Sequence, residues 1–176
     1  MIKTIFDTTI FFRMVQDKNL SPIELNEFSS KISEDENFKV FGVDVIRREI
    51  KNTASNDRTL LKALLGIYEL VKYKEYSTDQ RIENLAEQYY NLYKGLGGTK
   101  PYVVLKTDLL IVATATIKNM DIVVSADRET MDAEHKYGEK FRKAYREINI
   151  KEGFRNPDFW DCLDLKKKFG FFKKQL

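Results

Sequence analysis

The segment from residue 108 to residue 127 decides the fold, and it reads DLLIVATATIKNMDIVVSAD. Its first half, Leu109–Ala115, is apolar on nearly all sides of a helix, which predicts a buried helix that Thr107 caps. Asn119 is a suitable terminator for this helix. The β-branched run Ile122–Val124 then predicts a strand that a parallel sheet buries on both faces. A helix that leads directly into a buried strand is typical of an α/β domain.

Two apolar runs near the N-terminus predict further strands. The first contains Ile2, Ile5 and Phe6 and stops at Asp7, and the second covers residues 38–43. A fourth or fifth strand is expected at residues 145–150. Because strands alternate with helices, the sequence predicts an α/β fold with a mostly parallel sheet of four to five strands and helices on both faces.

Helix signals lie between the predicted strands. Thr8 and Thr9 open the first helix, and Asp44 is expected to cap the third. The second helix begins at residues 21–24, which combine a capping serine, a proline at the first helical position and a glutamate three residues after the cap. Two longer amphipathic helices follow, with apolar stripes at Leu60, Leu64, Ile67 and Val71 and at Ile82, Leu85, Ala86, Tyr89 and Tyr93.

Composition narrows the class of protein. The chain has 176 residues, of which 43% are hydrophobic and 32% charged, as in a globular domain. Apolar runs are far shorter than the roughly 20 residues that span a bilayer, and Asp7 interrupts any signal-peptide pattern at the N-terminus. The lone cysteine, Cys162, excludes an internal disulfide, and the lone histidine, His135, argues against zinc. We therefore expect a cytoplasmic protein.

Charge is distributed unevenly along the chain. Residues 136–176 carry 12 Lys and Arg residues against 6 Asp and Glu residues, whereas residues 1–135 carry 18 against 21. A basic C-terminal region beside an acidic body suits a protein that binds a polyanion and a metal. A solvated surface helix is the alternative interpretation of the same charges.

Four distant acidic residues are expected to meet at one edge of the sheet. Asp7 and Asp127 each follow a predicted strand directly, and the carboxyl ends of parallel strands share the edge where open α/β folds bind ligands. Asp108 begins the helix that descends about 17 Å before the strand to Asp127 climbs about 17 Å, so the two end at similar height. Glu49 lies in the second turn of the helix after residues 38–43.

Crowded carboxylates repel one another, so a divalent cation is the natural occupant of such a site. Oxygen ligands without histidine or cysteine favour Mg²⁺ or Mn²⁺. Each acid also has a simpler interpretation: Asp7 and Asp108 as helix caps, Asp127 as a turn residue and Glu49 as a surface glutamate. The joint placement of all four favours the metal site.

The same residues resemble the PIN-domain nucleases. The resemblance rests on Ile5-Phe6-Asp7-Thr8-Thr9, on Glu49 within VIRREI, and on the order and spacing of Asp108 and Asp127 in the segment quoted above. It covers roughly residues 1–150 and is similar to the VapC-like toxin ribonucleases. It implies a PIN-like three-layer sandwich with a central mostly parallel sheet.

The resemblance also implies an activity. Asp7, Glu49, Asp108 and Asp127 would bind one or two Mg²⁺ or Mn²⁺ ions and hydrolyse RNA phosphodiester bonds, as in the toxin of a toxin–antitoxin pair. A small antitoxin-like protein and a homodimer are the expected partners. Thr9 and Ser125 would be auxiliary groups that orient a carboxylate or a water. The family often has asparagine where this chain has Thr9, which still offers a hydroxyl donor.

The C-terminal segment lies outside the resemblance. We expect residues 1–150 to form the nuclease domain and residues 151–176 to form a basic extension packed on it. Within the extension, three aspartates are assigned to a capped surface helix. The candidates for RNA binding are Lys166, Lys167 and Lys168, and the residues expected to pack on the domain are Trp160, Phe169, Phe171 and Phe172.

Two other classes of protein fit part of the pattern. A magnesium-dependent phosphatase or a receiver domain also gathers acids at strand ends, but the phosphatase signature needs an aspartate where Thr9 stands, and a receiver needs an acidic pair where Asp7-Thr8 stands. A non-catalytic PIN-like module that binds RNA or a partner would keep the fold without turnover.

Overall fold

The computed structural model describes residues 1–18, 20–126 and 138–170. Strands and helices alternate through most of this part of the chain. The strands are β1 (Ile2–Phe6), β2 (Phe38–Val43), β3 (Lys72–Tyr76), β4 (Ile122–Val124) and β5 (Asp158–Trp160). The helices are α1 (Thr8–Gln16), α2 (Pro22–Glu34), α3 (Asp44–Thr53), α4 (Arg58–Val71), α5 (Gln80–Gly95), α6 (Tyr102–Ile117), α7 (Gly138–Glu152) and α8 (Cys162–Phe169).

The five strands form one parallel sheet in the order β3-β2-β1-β4-β5. Helices α1 to α4 pack against one another, and α5 packs against both α6 and α7, so helices form two layers around the sheet. The predicted α/β fold with a parallel sheet of four to five strands is confirmed.

The middle of the sheet is its most buried part. Strand β1 pairs with β2 on one side and with β4 on the other, and Ile5, Phe6 and all of β4 are buried. Helix α6 is buried from Leu109 to Thr116, as its uniformly apolar sequence predicts. The chain leaves β1 and β4 on the same edge, because parallel strands end on the same side of a sheet.

Both edge strands were missed by the sequence pattern, and one strand was predicted where a helix lies. Strand β3 carries three charged residues among its five, and β5 has only three residues, so neither shows an apolar run. The strand expected at residues 145–150 is wrong, because this stretch belongs to α7. Among the buried residues of α7, Phe141, Tyr145 and Asn149 are spaced four apart, as residues on one face of a helix are.

Two helix starts also differ from the prediction. Helix α6 begins at Tyr102 after Pro101, so Thr107 does not cap it and Asp108 is its seventh residue rather than part of its first turn. Asp44 is the first residue of α3 and receives hydrogen bonds from Thr78 instead of capping the helix. The capping box predicted at residues 21–24 is confirmed at the start of α2.

The C-terminal segment packs onto the sheet and α2. Trp160 stacks on Phe38 with ring centroids 6.1 Å apart, and Phe169 contacts both Phe38 and Phe28 edge-on. Asp161 and Asp164 form a capping box at the start of α8, so the assignment to a capped helix is confirmed for these two aspartates. It is wrong for the third, Asp158, which begins β5. Phe171 and Phe172 lie outside the described residues, and the division of the chain at residue 150 stays a prediction.

None of the helices that the structure describes is long and apolar enough to cross a membrane.

A tight contact in β2 leads to the first testable prediction. A Cβ atom on Gly42 would overlap the Tyr68 hydroxyl and lie 2.9 Å from Cδ of Lys72. The Tyr68 ring cannot withdraw easily, because it is buried and its hydroxyl donates a 2.5 Å hydrogen bond to Glu75 Oε2. We expect Gly42→Ala to lower the free energy of unfolding by about 1–3 kcal/mol in urea titrations.

The matched control is Gly66→Ala in α4. A Cβ on Gly66 meets no atom within 4 Å, and alanine is favoured over glycine inside a helix by up to about 1 kcal/mol. The control should therefore stabilise the protein. Equal effects of the two substitutions would contradict the proposed overlap at Gly42.

Candidate functional site

Asp7 is the centre of the candidate site. It follows β1 and caps α1, and its side chain is only 1% exposed. Its Oδ1 accepts hydrogen bonds from the Thr9 amide at 2.7 Å, from Thr9 Oγ1 at 2.5 Å and from the Ile10 amide at 3.3 Å. The carboxylate is thus fixed by the first turn of the helix that it caps.

Residues that follow β4 hold the same carboxylate from the other side. Ser125 Oγ donates to Asp7 Oδ2 at 2.5 Å, and the Ala126 amide donates to Thr9 Oγ1 at 2.9 Å. The Asp7 amide in turn donates to the Val124 carbonyl at 2.9 Å. These bonds join the carboxyl ends of the two central strands, as the sequence pattern predicts for this edge.

Burial changes the acidity of Asp7. Removal from water raises the pKa of this carboxyl to about 6, although hydrogen bonds from Ser125, Thr9 and Ile10 act in the opposite direction. A carboxylate that is expensive to ionise gains from a nearby cation, because the cation replaces the proton as the compensating charge.

Glu49 reaches the same edge from α3. It is half-buried in the second turn of the helix, as predicted, and its Oε2 accepts a 2.5 Å hydrogen bond from Thr8 Oγ1. Thr8 follows Asp7 directly in the chain, so Glu49 is bound to the residue next to Asp7. Thr9 and Ser125 are predicted from the sequence as auxiliary groups, whereas Thr8 is not, because its contact with Glu49 depends on how α1 and α3 pack.

An ion-pair network fixes α3 close to Glu49. Arg47 contacts Glu75 of β3 at 3.0 Å and Glu69 of α4 at 2.6 Å. Arg47 is thus paired within the protein, and the neighbouring Arg48 lies 3.6 Å from Asp44.

The structure does not place the remaining two acids, Asp108 and Asp127, beside Asp7 and Glu49. Asp108 is half-buried in α6, a helix that packs against α3, β1 and β4. Asp127 lies outside the described residues. Among the described ranges, no group of three or more His, Cys, Asp or Glu side chains is placed to hold a metal ion. The four-acid site therefore stays a prediction, of which the structure brings Asp7 and Glu49 to one place.

The groups present at this place fit a hard divalent cation. Within the described part of the chain, Asp7 Oδ2 accepts one hydrogen bond and Glu49 Oε1 accepts none. Each carboxylate oxygen has two lone pairs, so both atoms keep capacity to bind a metal. Oxygen donors alone, without nitrogen or sulfur, suit Mg²⁺ or Mn²⁺.

A cleft of about 1040 Å³ opens beside the two acids. Thr8, Thr9, Glu49 and Ser125 line one part of it, and residues of α1 and α8 line the rest. A volume of this size lies at the upper end of the roughly 300–1,000 Å³ typical of ligand pockets. Glu49 lines the cleft itself, whereas Asp7 is buried and only its neighbours Thr8, Thr9 and Ser125 line it.

The three lysines proposed for RNA binding have distinct surroundings. Lys166 lines the cleft and forms an ion pair with Asp17, at the end of α1. Lys168 lies 3.6 Å from Asp35 and over the ring of Phe38. Lys167 is exposed in the last turn of α8. Their role in RNA binding stays a prediction.

These features define an α/β domain with two acidic side chains, Asp7 and Glu49, and a cleft at the carboxyl edge of its parallel sheet. No protein-family model matches the chain, and no curated protein matches its sequence. Solved structures do match it.

One is the crystal structure of VapBC2 from Rickettsia felis bound to a DNA fragment from their promoter, with a TM-score of 0.58, 10% identity, and coverage of 91% of this chain and 98% of that chain. Another is VapBC-1 from nontypeable Haemophilus influenzae, with a TM-score of 0.55, 13% identity and the same coverages. The protein has a VapC-like PIN fold, as the resemblance implies.

The raised pKa of Asp7 predicts how Asp7→Asn changes stability with pH. Between about pH 4 and pH 6 the native state binds a proton at Asp7 that the unfolded state has lost. The free energy of unfolding of wild type therefore falls as pH rises from about 4 through 6, where Asp7 becomes charged in the native state. Without metal, Asp7→Asn should be more stable than wild type at pH 8, by up to about 3 kcal/mol. The difference should shrink toward pH 4.

The measurement is a set of urea titrations in EDTA at several pH values. Asp158→Asn, on the exposed first residue of β5, is the control and should show no such trend. A constant difference between Asp7→Asn and wild type across the pH range would contradict the burial cost assigned to Asp7.

Proposed function

We propose that this protein is a Mg²⁺- or Mn²⁺-dependent endoribonuclease, in which Asp7, Glu49, Asp108 and Asp127 bind the metal. The observation that supports this most directly is that Asp7 and Glu49, which bind to the adjacent residues Thr9 and Thr8, both lie at the carboxyl edge of a PIN-type sheet, beside an open cleft. The proposal takes Asp108 and Asp127 from the sequence resemblance.

The metal, when bound, would activate a water molecule for attack on a phosphodiester and stabilise negative charge on the phosphoryl oxygens. The residues of the chain prepare this site. Thr9 and Ser125 fix the Asp7 carboxylate from two sides, and Thr8 fixes Glu49. Preorganised carboxylates need no rearrangement when a substrate arrives, which is how such sites lower an activation barrier.

Burial strengthens the interaction between Asp7 and a bound cation. Asp7 is nearly inaccessible to water, so its interaction with a cation is weakly screened. The charge of a divalent ion would keep Asp7 ionised at neutral pH despite its raised pKa. Metal binding is therefore expected to weaken as pH falls below about 6, where protons compete for Asp7.

We further propose a small antitoxin-like protein as partner, with a homodimer as the assembly of the chain itself. The two similar structures are VapBC assemblies by their titles. A cytoplasmic location fits this proposal.

The direct test is cleavage of a labelled single-stranded RNA by purified protein with Mn²⁺, and then with EDTA. Asp7→Asn, Asp108→Asn and Asp127→Asn should each lower the cleavage rate at least ~10²-fold, because each removes a contact made in the transition state. Glu49→Gln should also be severe. Asp158→Asn should cleave normally.

Full activity of Asp7→Asn and Asp127→Asn would reject the proposed site. Metal-independent RNA binding with no cleavage under any divalent ion would favour the non-catalytic PIN-like module instead.

A second test isolates the hydroxyl that holds Glu49. Thr8→Val keeps the shape of a buried side chain and removes the donor to Glu49 Oε2. Loss of such a supporting bond is expected to weaken Mn²⁺ binding about 10–100-fold, as read from Mn²⁺ titrations of activity and of the melting temperature.

Thr53→Val is the matched control, because Thr53 lies on the same helix as Glu49 and lines the same cleft. Its Mn²⁺ dependence should equal that of wild type. If Thr8→Val and Thr53→Val behave alike, the Thr8 hydroxyl does not position Glu49.

A further inference from the structure

The cleft beside Asp7 and Glu49 is lined by cationic as well as acidic side chains. The cations are Arg13, Lys18 and Lys166, and the acids besides Glu49 are Asp17 and Asp161. A metal at the acids would attract one phosphate group of a nucleic acid. The cations line the same cleft, where the phosphate groups next to the one at the metal would lie.

Arg13 is the cation with the most favourable placement. It lies four residues after Thr9 in α1, so both side chains project from the same face of the helix. The rise between them is about 6 Å along the axis. Thr9 holds the Asp7 carboxylate, so Arg13 stands one helical turn from the proposed metal ligands.

The charge of Arg13 is available, unlike that of Lys166. Lys166 is paired with Asp17, whereas Arg13 is exposed and forms no ion pair with any residue the structure describes. A guanidinium also suits phosphate better than an ammonium does, because its planar donors bind two phosphate oxygens at once.

We propose that Arg13 binds the phosphate group adjacent to the scissile phosphate of single-stranded RNA, and so sets how the strand enters the acidic site. Successive phosphates of an extended strand are separated by about one helical turn, which matches the rise from Thr9 to Arg13. The cleft, at about 1040 Å³, has room for a short length of strand. This inference rests on the proposed nuclease function.

Binding measured without metal tests the inference apart from catalysis. We would titrate a fluorescent single-stranded oligoribonucleotide with full-length protein in EDTA over a range of salt concentrations. Arg13→Gln removes the charge and keeps a polar, although shorter, side chain. It should weaken binding at least about fivefold at low salt and reduce the log–log salt slope by about 0.7.

Two further variants complete the set. Arg13→Lys keeps the charge and loses the planar fork, so it should retain the slope and still bind more weakly than wild type. Arg58→Gln is the matched control, since Arg58 is an exposed arginine in the first turn of α4, outside this cleft. It should bind RNA as wild type does. With Mn²⁺ present, Arg13→Gln should raise KM more than it lowers kcat.

The outcomes separate this inference from the proposed function. If wild type cleaves RNA and Arg13→Gln has the slope and affinity of Arg58→Gln, the assignment of Arg13 is overturned and the nuclease stands. If Arg13→Gln weakens binding as expected but no metal supports cleavage, Arg13 is upheld as an RNA contact and the nuclease falls. Absence of both binding and cleavage in wild type overturns both.

Discussion

The buried carboxylate of Asp7 is the constraint on which the rest of the site depends. A charged group out of contact with water is costly unless hydrogen bonds compensate it. Here the compensation comes from four donors, three in the first turn of α1 and one from Ser125 after β4. The need to satisfy one side chain therefore fixes the start of a helix and the ends of the two central strands together.

A second, more peripheral set of charges holds the other acid. Arg47 lies two residues before Glu49 and bridges Glu75 and Glu69, so α3 is tied to both β3 and α4. Burial by itself would raise the pKa of Glu75, but hydrogen bonds from Tyr68 and Arg47 and the charge of Lys72 hold it below its usual value. The network has a steric requirement as well, since Tyr68 reaches Glu75 only because Gly42 leaves room for its ring.

The sequence predicts the interior of this protein better than its edges. Strands β1, β2 and β4 have apolar runs because neighbours cover them on both sides, and α5 has a clean apolar stripe. Strands β3 and β5 each have one open side, so polar residues are tolerated there and the period that identifies a strand is lost. The sequence predicts a strand at Tyr145 and Asn149 because a stretch of only six residues, polar and apolar together, does not distinguish the period of a strand from that of a helix.

The same reasoning applies to the site. Asp7 and Glu49 could be proposed from their positions after strands, and Thr9 and Ser125 from their closeness in sequence to acids. Thr8 and Arg13 could not, because their relevance arises from the packing of α3 and α8 against α1. No local pattern records such contacts between distant elements.

The order of the strands along the chain also determines when the contacts of Asp7 can form during synthesis. The bond between Ser125 and Asp7 joins residues 118 apart in sequence, and the central strand β1 is the first to be made. A nascent chain that ends before β4 therefore holds Asp7 without one of its four donors and β1 without one of its two neighbours. The hydrogen bonds around Asp7 are complete only when Ser125, made 118 residues later, has joined them.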